Sequence, residues 1–282
     1  MATFSIRPMN REEISFAIDL AAREGWNPGL HDEFAFYAAD QEGFLIGLLN
    51  DQPVACISAV SYAGKFGFLG FYIVLPELRG RGLGLQLWNA AMRRLDGHNI
   101  GLDGVLDQQE NYRKSGFSLA YRNIRFERTS DAPQSAMASQ IVDLHTLPFA
   151  SIEAYDQAFF PAPRTAFLRA WISQPGSHGL AWVENGQLCG MGVIRPCQTG
   201  YKIGPLYADR PEIADALYTA LTSLADPGSA IFLDIPETNP SAMGLATRFG
   251  MHKVFETARM YTGDFPQLDL NRLYGVTSFE LG

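Results

Sequence analysis

The chain of 282 residues has little cysteine and no concentration of histidine. Its three cysteines, Cys56, Cys189 and Cys197, are widely spaced and form no CxxC pair, which argues against a disulfide framework or a zinc site. The five histidines are scattered, and no HExxH motif occurs. The sequence therefore predicts no metal centre.

The chain also lacks an excess of positive charge and a long hydrophobic run. Its formal net charge is -8, whereas nucleic acids and anionic membranes are bound by clustered Lys and Arg. The longest apolar run, "FLIGLL", is too short to cross a bilayer, and "MATFSIRPMNREEI" lacks the basic and apolar regions of a leader. We therefore expect a cytoplasmic protein that binds neither nucleic acid nor membrane, and any anion site must be local.

What the chain has in plenty is apolar and aromatic residues, arranged in two similar halves. At 47% hydrophobic and 12% aromatic, it can bury about two domains of ordinary size. Aligned at an offset of about 135, the halves place "LLNDQPVACISAV" on "WVENGQLCGMGVI", and each segment reads as a hairpin. Other residues that coincide within a few positions of this offset are Ile6 and Ile141, Tyr72 and Tyr207, Asp103 and Asp234, and Gly116 and Gly250.

Each half reads as strand, helices, two or three strands, helix, strand, helix, strand, which predicts a mixed α/β fold. The segment "RTSDAPQSAMASQ" at 128–140 has no apolar period and reads as a linker. We therefore expect an N-terminal domain at 1–130 and a C-terminal domain at 131–282.

A glycine-rich turn stands between a predicted strand at 67–75 and a helix with one apolar stripe. Such a helix start exposes free N–H groups and the positive end of the helix dipole. Gly80, Gly82 and Gly84 remove the Cβ atoms that would keep a ligand away, while Arg79 and Arg81 add positive charge. The turn therefore predicts a pyrophosphate site.

Two common phosphate motifs do not fit this turn. A P-loop requires Lys followed by Ser or Thr, which this segment lacks. A GxGxxG dinucleotide fingerprint would need glycine at position 85 or 87, and both are leucine. Nucleotide hydrolysis and dinucleotide binding are therefore not indicated.

The motif "RGRGLG" at 79–84 resembles the (Arg/Gln)-x-x-Gly-x-(Gly/Ala) signature of the GCN5-related N-acetyltransferases (GNAT). Downstream, Tyr112 stands four residues before Gly116-Phe117, as in that family's Y-x-x-x-G-F segment. The resemblance is specific for residues 1 to about 128 and faint beyond. It implies tandem GNAT-like domains, each a twisted mixed sheet flanked by helices, of which the second is a diverged copy.

The resemblance implies acetyl-CoA as the cofactor and a catalytic role for Tyr112, which would protonate the departing thiolate. The backbone amides of Tyr72 to Val74 would bind the thioester oxygen. Asp103 is a candidate general base, although "LDG" is equally a common strand-ending turn. The implied cofactor-binding residues are Tyr72, Ile73, Val74, Arg79, Gly80, Arg81, Gly82, Leu83, Gly84, Leu85 and Asn111.

The second half lacks these features, since "ADRPEIADAL" replaces the glycine turn and Ala246 stands opposite Tyr112. We therefore expect this copy to be catalytically silent and to form one wall of the substrate cleft. Trp26 and Asp32 lie in a loop where they could hold an ammonium group by cation–π and charge contacts. The candidate substrate-binding residues are thus Trp26, Asp32, Asp234, Asn239 and Tyr261.

The expected function is transfer of an acetyl group from acetyl-CoA to a primary amine of a small molecule or a protein. One alternative is a transferase with another acyl donor; a tRNA donor is disfavoured by the acidic charge. A second alternative is a non-catalytic acyl-CoA sensor, although pure binding needs no proton donor such as Tyr112. The acceptor, the general base and the oligomeric state, including a homodimer, stay open.

Overall fold

A computed structural model describes residues 3–130 and 137–282, and its two halves repeat one order of elements. The first half contains β1 (Phe4–Pro8), α1 (Ile14–Arg23), α2 (Asp32–Ala39), β2 (Phe44–Leu49), β3 (Gln52–Tyr62), β4 (Phe66–Val74), α3 (Leu83–Arg94), β5 (Asn99–Val105), α4 (Gln109–Lys114) and β6 (Ser118–Thr129). The second contains β7 (Ile141–Asp143), α5 (Phe149–Asp156), α6 (Thr165–Trp171), β8 (His178–Glu184), β9 (Gln187–Pro196), β10 (Tyr201–Ala208), α7 (Pro211–Thr222), β11 (Ala230–Pro236), α8 (Pro240–Arg248) and β12 (His252–Tyr261), followed by β13 (Leu273–Gly275). The predicted mixed α/β order is confirmed in both halves. The predicted boundary between residues 130 and 131 adjoins residues 131–136, which lie outside the described residues. The position of the domain boundary therefore stays a prediction.

The two predicted hairpins show why the sequence folds this way locally. β2 and β3 are joined by Asn50 and Asp51, which have φ angles of 50° and 63°. β8 and β9 are joined by Asn185 and Gly186, with φ angles of 49° and 78°. Two successive positive φ values match the twist of antiparallel strands, and Asn, Asp and Gly tolerate them best. Both hairpins are confirmed.

All the named strands belong to one sheet in which the halves exchange their last strands. The order is β1-β2-β3-β4-β5-β12-β6-β11-β10-β9-β8-β7, and β13 pairs with β10. β12 of the second half lies beside β5 of the first, and β6 of the first lies beside β11 of the second. The two exchanged strands also pair with each other. Each half therefore completes the sheet of the other.

Two buried ion pairs join the exchanged strands to the strands that receive them. Asp103 on β5 lies directly opposite Arg259 on β12, and their side chains are 2.6 Å apart. Asp234 on β11 lies directly opposite Arg125 on β6, at 2.7 Å. The four side chains are at most 6% exposed. The predicted alignment of Asp103 with Asp234 thus corresponds to two related ion pairs.

The helices cover both faces of this sheet. One continuous core lies under α1, α2, α5 and α6 and includes Phe36 and Trp171, whose rings stack 6.1 Å apart across the two halves. On the other face, α3 packs on the first half through Leu87 and its neighbours, while α7 and α8 pack on the second. The halves are therefore joined by a shared aromatic core as well as by strand pairing.

Residues 273–282, which we call the tail, are buried along their whole length. The tail begins as β13 beside β10, and a Cβ on Gly204 would lie 2.5 Å from the Val276 carbonyl oxygen. Further on, a Cβ on Gly70 would lie 2.1 Å from the Glu280 carbonyl oxygen. Two glycines, one in each half, thus make room for the tail to pass from the second half to the first.

We predict that Asp234→Ala lowers the free energy of unfolding by about 3–5 kcal/mol, because Arg125 is then left buried without its partner. The control is Asp215→Ala, which breaks the exposed pair of Asp215 and Arg248. That change should cost less than about 1 kcal/mol. Urea unfolding of both variants measures the difference, and equal costs would contradict a structural role for the buried pair.

The cost of Asp234→Ala should also depend on pH. Burial by itself raises the pKa of Asp234, but the Arg125 guanidinium outweighs it and holds that pKa below its ordinary value. The stabilisation from Asp234 is therefore complete above about pH 4 and is lost as the pH falls through the lowered pKa. Unfolding curves should show the gap between wild type and variant narrowing below about pH 4; a constant gap would contradict this.

Candidate active site

A cavity of about 570 Å³ opens where β4 and β5 separate. The parallel ladder between these strands ends at the pair Leu69 and Leu102. Just beyond it, the register of β4 against β3 shifts, and Phe71 has a φ of 49°. Such a bulge turns a strand away from its neighbour. Residues 70–74 therefore present a free backbone edge to the cavity.

The glycine turn lies at one end of this cavity. Gly80 and Gly82 both have a φ of 76°, which favours glycine, and Gly82 is the N-cap of α3. The first bond of the helix runs from Gln86 N to Gly82 O, so the preceding amides are available to a ligand. A Cβ on Gly84 would lie 2.8 Å from the Tyr72 hydroxyl. The turn thus has the open backbone that a diphosphate requires.

The two arginines of the turn are placed differently. Arg79 lines the cavity, where it is paired with Glu24 and donates to the Val74 carbonyl oxygen at 2.8 Å. Arg81 is exposed and lies outside the cavity lining. Asn111 is likewise exposed outside the lining and donates to Gln108 at 2.8 Å. Arg79 is therefore the signature arginine that the fold directs toward the cavity.

The other predicted cofactor residues form the walls of the turn and of the adjoining strand. The lining includes Tyr72, Ile73, Val74, Gly80, Gly82, Leu83, Gly84 and Leu85. The first three belong to the free edge of β4 and the others to the turn and the start of α3. The structure therefore brings the strand edge and the helix start into one site.

Tyr112 lines the same cavity from α4. Its ring stacks on Trp88 at 5.6 Å, and a Cβ on Gly104 would lie 2.3 Å from it. Burial raises the pKa of the Tyr112 phenol well above its ordinary value, and nearby Tyr72 adds to this effect. The Tyr112 phenol therefore keeps its proton at neutral pH. Its ring lies against Gly104 of β5, in the same cavity lining as the free edge of β4.

Asp103 also lines the cavity, but its carboxylate is fully engaged by protein groups. One oxygen accepts from Arg259 at 2.6 Å, and the other accepts from Asn123 at 2.8 Å and from Thr257 at 3.2 Å. A carboxylate held in this way is a poor general base, since taking a proton would disrupt its ion pair. The structure thus favours a structural role for Asp103 over the catalytic one expected from the sequence.

Of the five predicted substrate-binding residues, the structure places only Trp26 in the cavity lining. Asp32 is fully buried and pairs with Arg195 at 2.8 Å. Asp234 is buried in its ion pair with Arg125. Their charges are therefore used inside the protein, which corrects the expectation that they face an acceptor.

The remaining two predicted residues are also structural. Asn239 is the N-cap of α8, where its side chain accepts from the backbone of Ser241 at 3.0 Å and donates to the Leu273 carbonyl oxygen at 3.0 Å. Tyr261 is buried, with its ring 6.4 Å from that of Phe66. Both lie outside the cavity lining, so their predicted place on the cleft wall is corrected.

The second half does supply a wall of the cavity, through residues that the sequence did not indicate. Phe255 and Thr257 come from the exchanged strand β12, and Phe279 and Glu280 come from the tail. The segment "TSFELG" contains no motif and no apolar period. Only knowledge of the strand exchange and of the path of the tail would have placed these residues in the same cavity lining as Tyr112.

The equivalent cleft of the second half is filled by the chain itself. The ladder of β10 and β11 ends at Ile203 and Leu233, just as that of β4 and β5 ends at Leu69. Beyond this point β13 pairs with β10 at Leu206 and Tyr207. The tail thus occupies the strand edge that stays open in the first half.

The structure describes residues 3–130 and 137–282. Within these ranges no three His, Cys, Asp or Glu side chains are grouped so that they could hold a metal ion. Within the same ranges no helix is long and apolar enough to span a membrane.

Known proteins resemble both halves of the chain. Residues 11–117 match the profile described as "Acetyltransferase (GNAT) family", and residues 152–275 match "Acetyltransferase (GNAT) domain". A holothin acyltransferase of Pseudoalteromonas sp. (strain SANK 73390) is 33% identical over 287 residues, covering 99% of this chain and 95% of that protein. An uncharacterized N-acetyltransferase of Bacillus subtilis (strain 168) is 24% identical over 278 residues, covering 97% of each.

Solved structures share the fold over nearly the whole chain. A putative acetyltransferase from Pyrococcus horikoshii superposes with a TM-score of 0.81 at 23% identity, covering 99% of this chain and 96% of that one. A tandem GNAT protein from the clavulanic acid biosynthesis pathway gives a TM-score of 0.62 at 12% identity, covering 93% and 100%. With the two matched profiles and the acyltransferase relative, these findings show that the chain belongs to the GNAT family of acyltransferases, with two GNAT domains in tandem.

Proposed function

We propose that the protein transfers an acetyl group from acetyl-CoA to a primary amine in the cavity of the first half. The observation that carries this proposal is that one cavity joins the glycine turn, the free edge of β4 and the buried phenol of Tyr112. Binding, carbonyl activation and proton donation are thereby available in one place. The cavity volume lies within the range of small-molecule sites.

The donor would lie along the turn and the strand edge. The free amides before Gln86 and the charge of Arg79 suit the diphosphate of acetyl-CoA. The open strand edge suits the extended pantetheine chain that joins this diphosphate to the thioester. When bound, acetyl-CoA would supply an acetyl group activated as a thioester. The amides of Tyr72 to Val74 would then hold the carbonyl oxygen; one such donor is worth about 2.7–4 kcal/mol of barrier in acyl transfer.

Tyr112 would give its proton to the departing sulfur. Because burial raises its pKa, the phenol stays protonated throughout the ordinary assay range. A buried donor also keeps water from competing at the acyl group. This assignment rests on position, since Tyr112 packs on Trp88 directly beside the glycine turn.

The second half would serve as a wall and bind no second acetyl-CoA. Its strand edge is occupied by β13. Arg210, which aligns with the glycine turn of the first half, is paired with both Glu184 and Glu212. Ala246 stands where the proton donor would be, in the helix equivalent to α4. We therefore propose one cofactor site per chain.

Acetyl-CoA binding tests the turn. Gly82→Ala should raise the Kd for acetyl-CoA about tenfold or more, because a side chain at positive φ distorts the N-cap and projects toward the ligand. The control is Gly228→Ala, which introduces a Cβ at a similar φ of 81° with no neighbour within 4 Å. Calorimetry should show one site per chain in the wild type and no change in Kd for the control. Two equal sites, or equal effects of both variants, would contradict the proposal.

Turnover tests the proton donor. Tyr112→Phe should lower kcat about 100-fold while the Kd for acetyl-CoA stays unchanged, because only proton transfer to sulfur is lost. The comparison is Tyr72→Phe, which removes a second hydroxyl lining the same cavity. Thiol release should be followed with a panel of primary amines and, separately, with holothin, for which the relative is named. A large loss in Tyr72→Phe with normal turnover in Tyr112→Phe would transfer the role to Tyr72.

A further inference from the structure

Glu280 is a buried carboxylate that lines the cavity and that the chemistry above does not use. The residue is only 4% exposed, and its Oε2 has no hydrogen-bond partner among residues 3–130 and 137–282. Leaving a buried acceptor unpaired costs about 1–3 kcal/mol, and more for a charged group. Such an atom in a cavity wall indicates a position that a ligand's donor completes.

The tail holds Glu280 beside the reacting end of the cavity. Its carbonyl oxygen is so close to Gly70 that a Cβ there would lie 2.1 Å away. Gly70 directly follows Leu69, where the β4–β5 ladder ends, and is the first residue of the free strand edge, two positions before the amides proposed to hold the acyl carbonyl. The backbone of Glu280 therefore lies against the start of the free strand edge, on the side of the cavity that the second half supplies.

Three basic side chains lie within electrostatic reach of Glu280. Arg125 on β6, Arg195 on β9 and Lys202 on β10 all interact electrostatically with Glu280. The two arginines have their own carboxylate partners, Asp234 and Asp32. Lys202 Nζ donates to the Asn27 carbonyl oxygen at 2.8 Å and has no such acidic partner in the described residues. Glu280 is thus an acidic neighbour of this cluster that, among residues 3–130 and 137–282, forms no ion pair of its own, so its carboxylate stays available to a ligand.

Aromatic side chains line the space next to this carboxylate. Trp26, Phe255 and Phe279 belong to the same cavity, and the rings of Phe255 and Phe279 lie 6.3 Å apart. Aromatic faces bind flat apolar groups and also attract cations. The Arg125 guanidinium already lies over Phe255 and Phe279, 5.8 and 4.8 Å from their ring centroids, so these rings offer apolar contact and the carboxylate is the partner for an ammonium group.

We propose that Glu280 binds the amine of the acceptor and accepts its proton, and that the acceptor is a primary amine on a flat apolar group. This inference rests on the proposed acetyl transfer. The ammonium loses two protons in forming the amide. Glu280 takes the first, which frees the nitrogen lone pair for attack. As the N–C bond forms and the C–S bond breaks, the second proton leaves the nitrogen to water, and Tyr112 supplies a proton to the departing sulfur. Glu280 and Tyr112 then exchange protons with water, so one proton is released per turnover.

Binding of a matched pair of probes tests the site. The full-length protein saturated with coenzyme A is titrated at pH 7 with phenethylammonium and with 2-phenylethanol, which differ mainly in charge. We expect the wild type to bind the ammonium about tenfold tighter than the alcohol. Glu280→Gln should abolish this preference and leave the affinity for the alcohol unchanged. No preference in the wild type, or a preference that survives the substitution, would overturn the proposal.

The control variant is Glu256→Gln. Glu256 is on β12 between the lining residues Phe255 and Thr257, but its carboxylate pairs with Lys253 at 2.8 Å. The Glu256→Gln substitution removes the same charge from a position next to the lining residues Phe255 and Thr257. The preference of the protein for the ammonium probe should therefore stay. Urea unfolding checks that both variants fold. Should Glu280→Gln fail to fold, Glu280→Asp replaces it, and the shorter carboxylate should weaken the preference without removing it; an undiminished preference would overturn the proposal.

Kinetics separate this inference from the function on which it rests. With an amine that supports turnover, Glu280→Gln should lower kcat and raise KM for the amine, while the Kd for acetyl-CoA stays at the wild-type value. Normal turnover in Glu280→Gln would overturn the role of Glu280 and leave acetyl transfer intact. Absence of acetyl-CoA binding at the glycine turn would overturn the proposed function itself, whatever the probes show.

Discussion

The exchange of the last strands between the two halves is the constraint on which the rest of this structure depends. Strand β12 lies beside β5, and β6 lies beside β11, so neither half contains its complete sheet. The ion pairs of Asp103 with Arg259 and of Asp234 with Arg125 bridge these junctions directly. Since an isolated buried charge is costly, these pairs also oppose any shift of register between the exchanged strands. The cavity wall that β12 and the tail supply to the first half follows from this arrangement.

Much of the fold was accessible from the sequence because its signals are local. The hairpin turns at Asn50-Asp51 and Asn185-Gly186 combine turn residues with flanking apolar strands, and the glycine turn precedes a clear helical stripe. The similarity of the halves follows from the same local patterns repeated at one offset. Tyr112 was indicated because its segment resembles the Y-x-x-x-G-F segment of the family, and the structure places it in the cavity lining.

The rest was inaccessible because it depends on contacts between residues far apart in the chain. Asp103 and Asp234 were correctly aligned with each other, but their arginine partners lie on strands whose neighbours no periodicity reveals. Asp234 therefore looked like a free carboxylate. Glu280, in contrast, was not among the predicted site residues, because its sequence neighbours form no motif. Only the packing of the tail against Gly70 places Glu280 in the cavity lining.

The tail has two effects that are physically linked. The same ten residues fill the strand edge of the second half as β13 and present Phe279 and Glu280 to the cavity of the first. The contacts proposed for the cofactor, in contrast, come from the turn before α3 and from β4. Substitutions in the tail can therefore alter which molecules are accepted while the grip on the donor is preserved. In a lineage of such duplicated proteins, new specificities would arise by repacking one short segment, and the copy whose strand edge is filled by its own chain would thereby become the source of diversity.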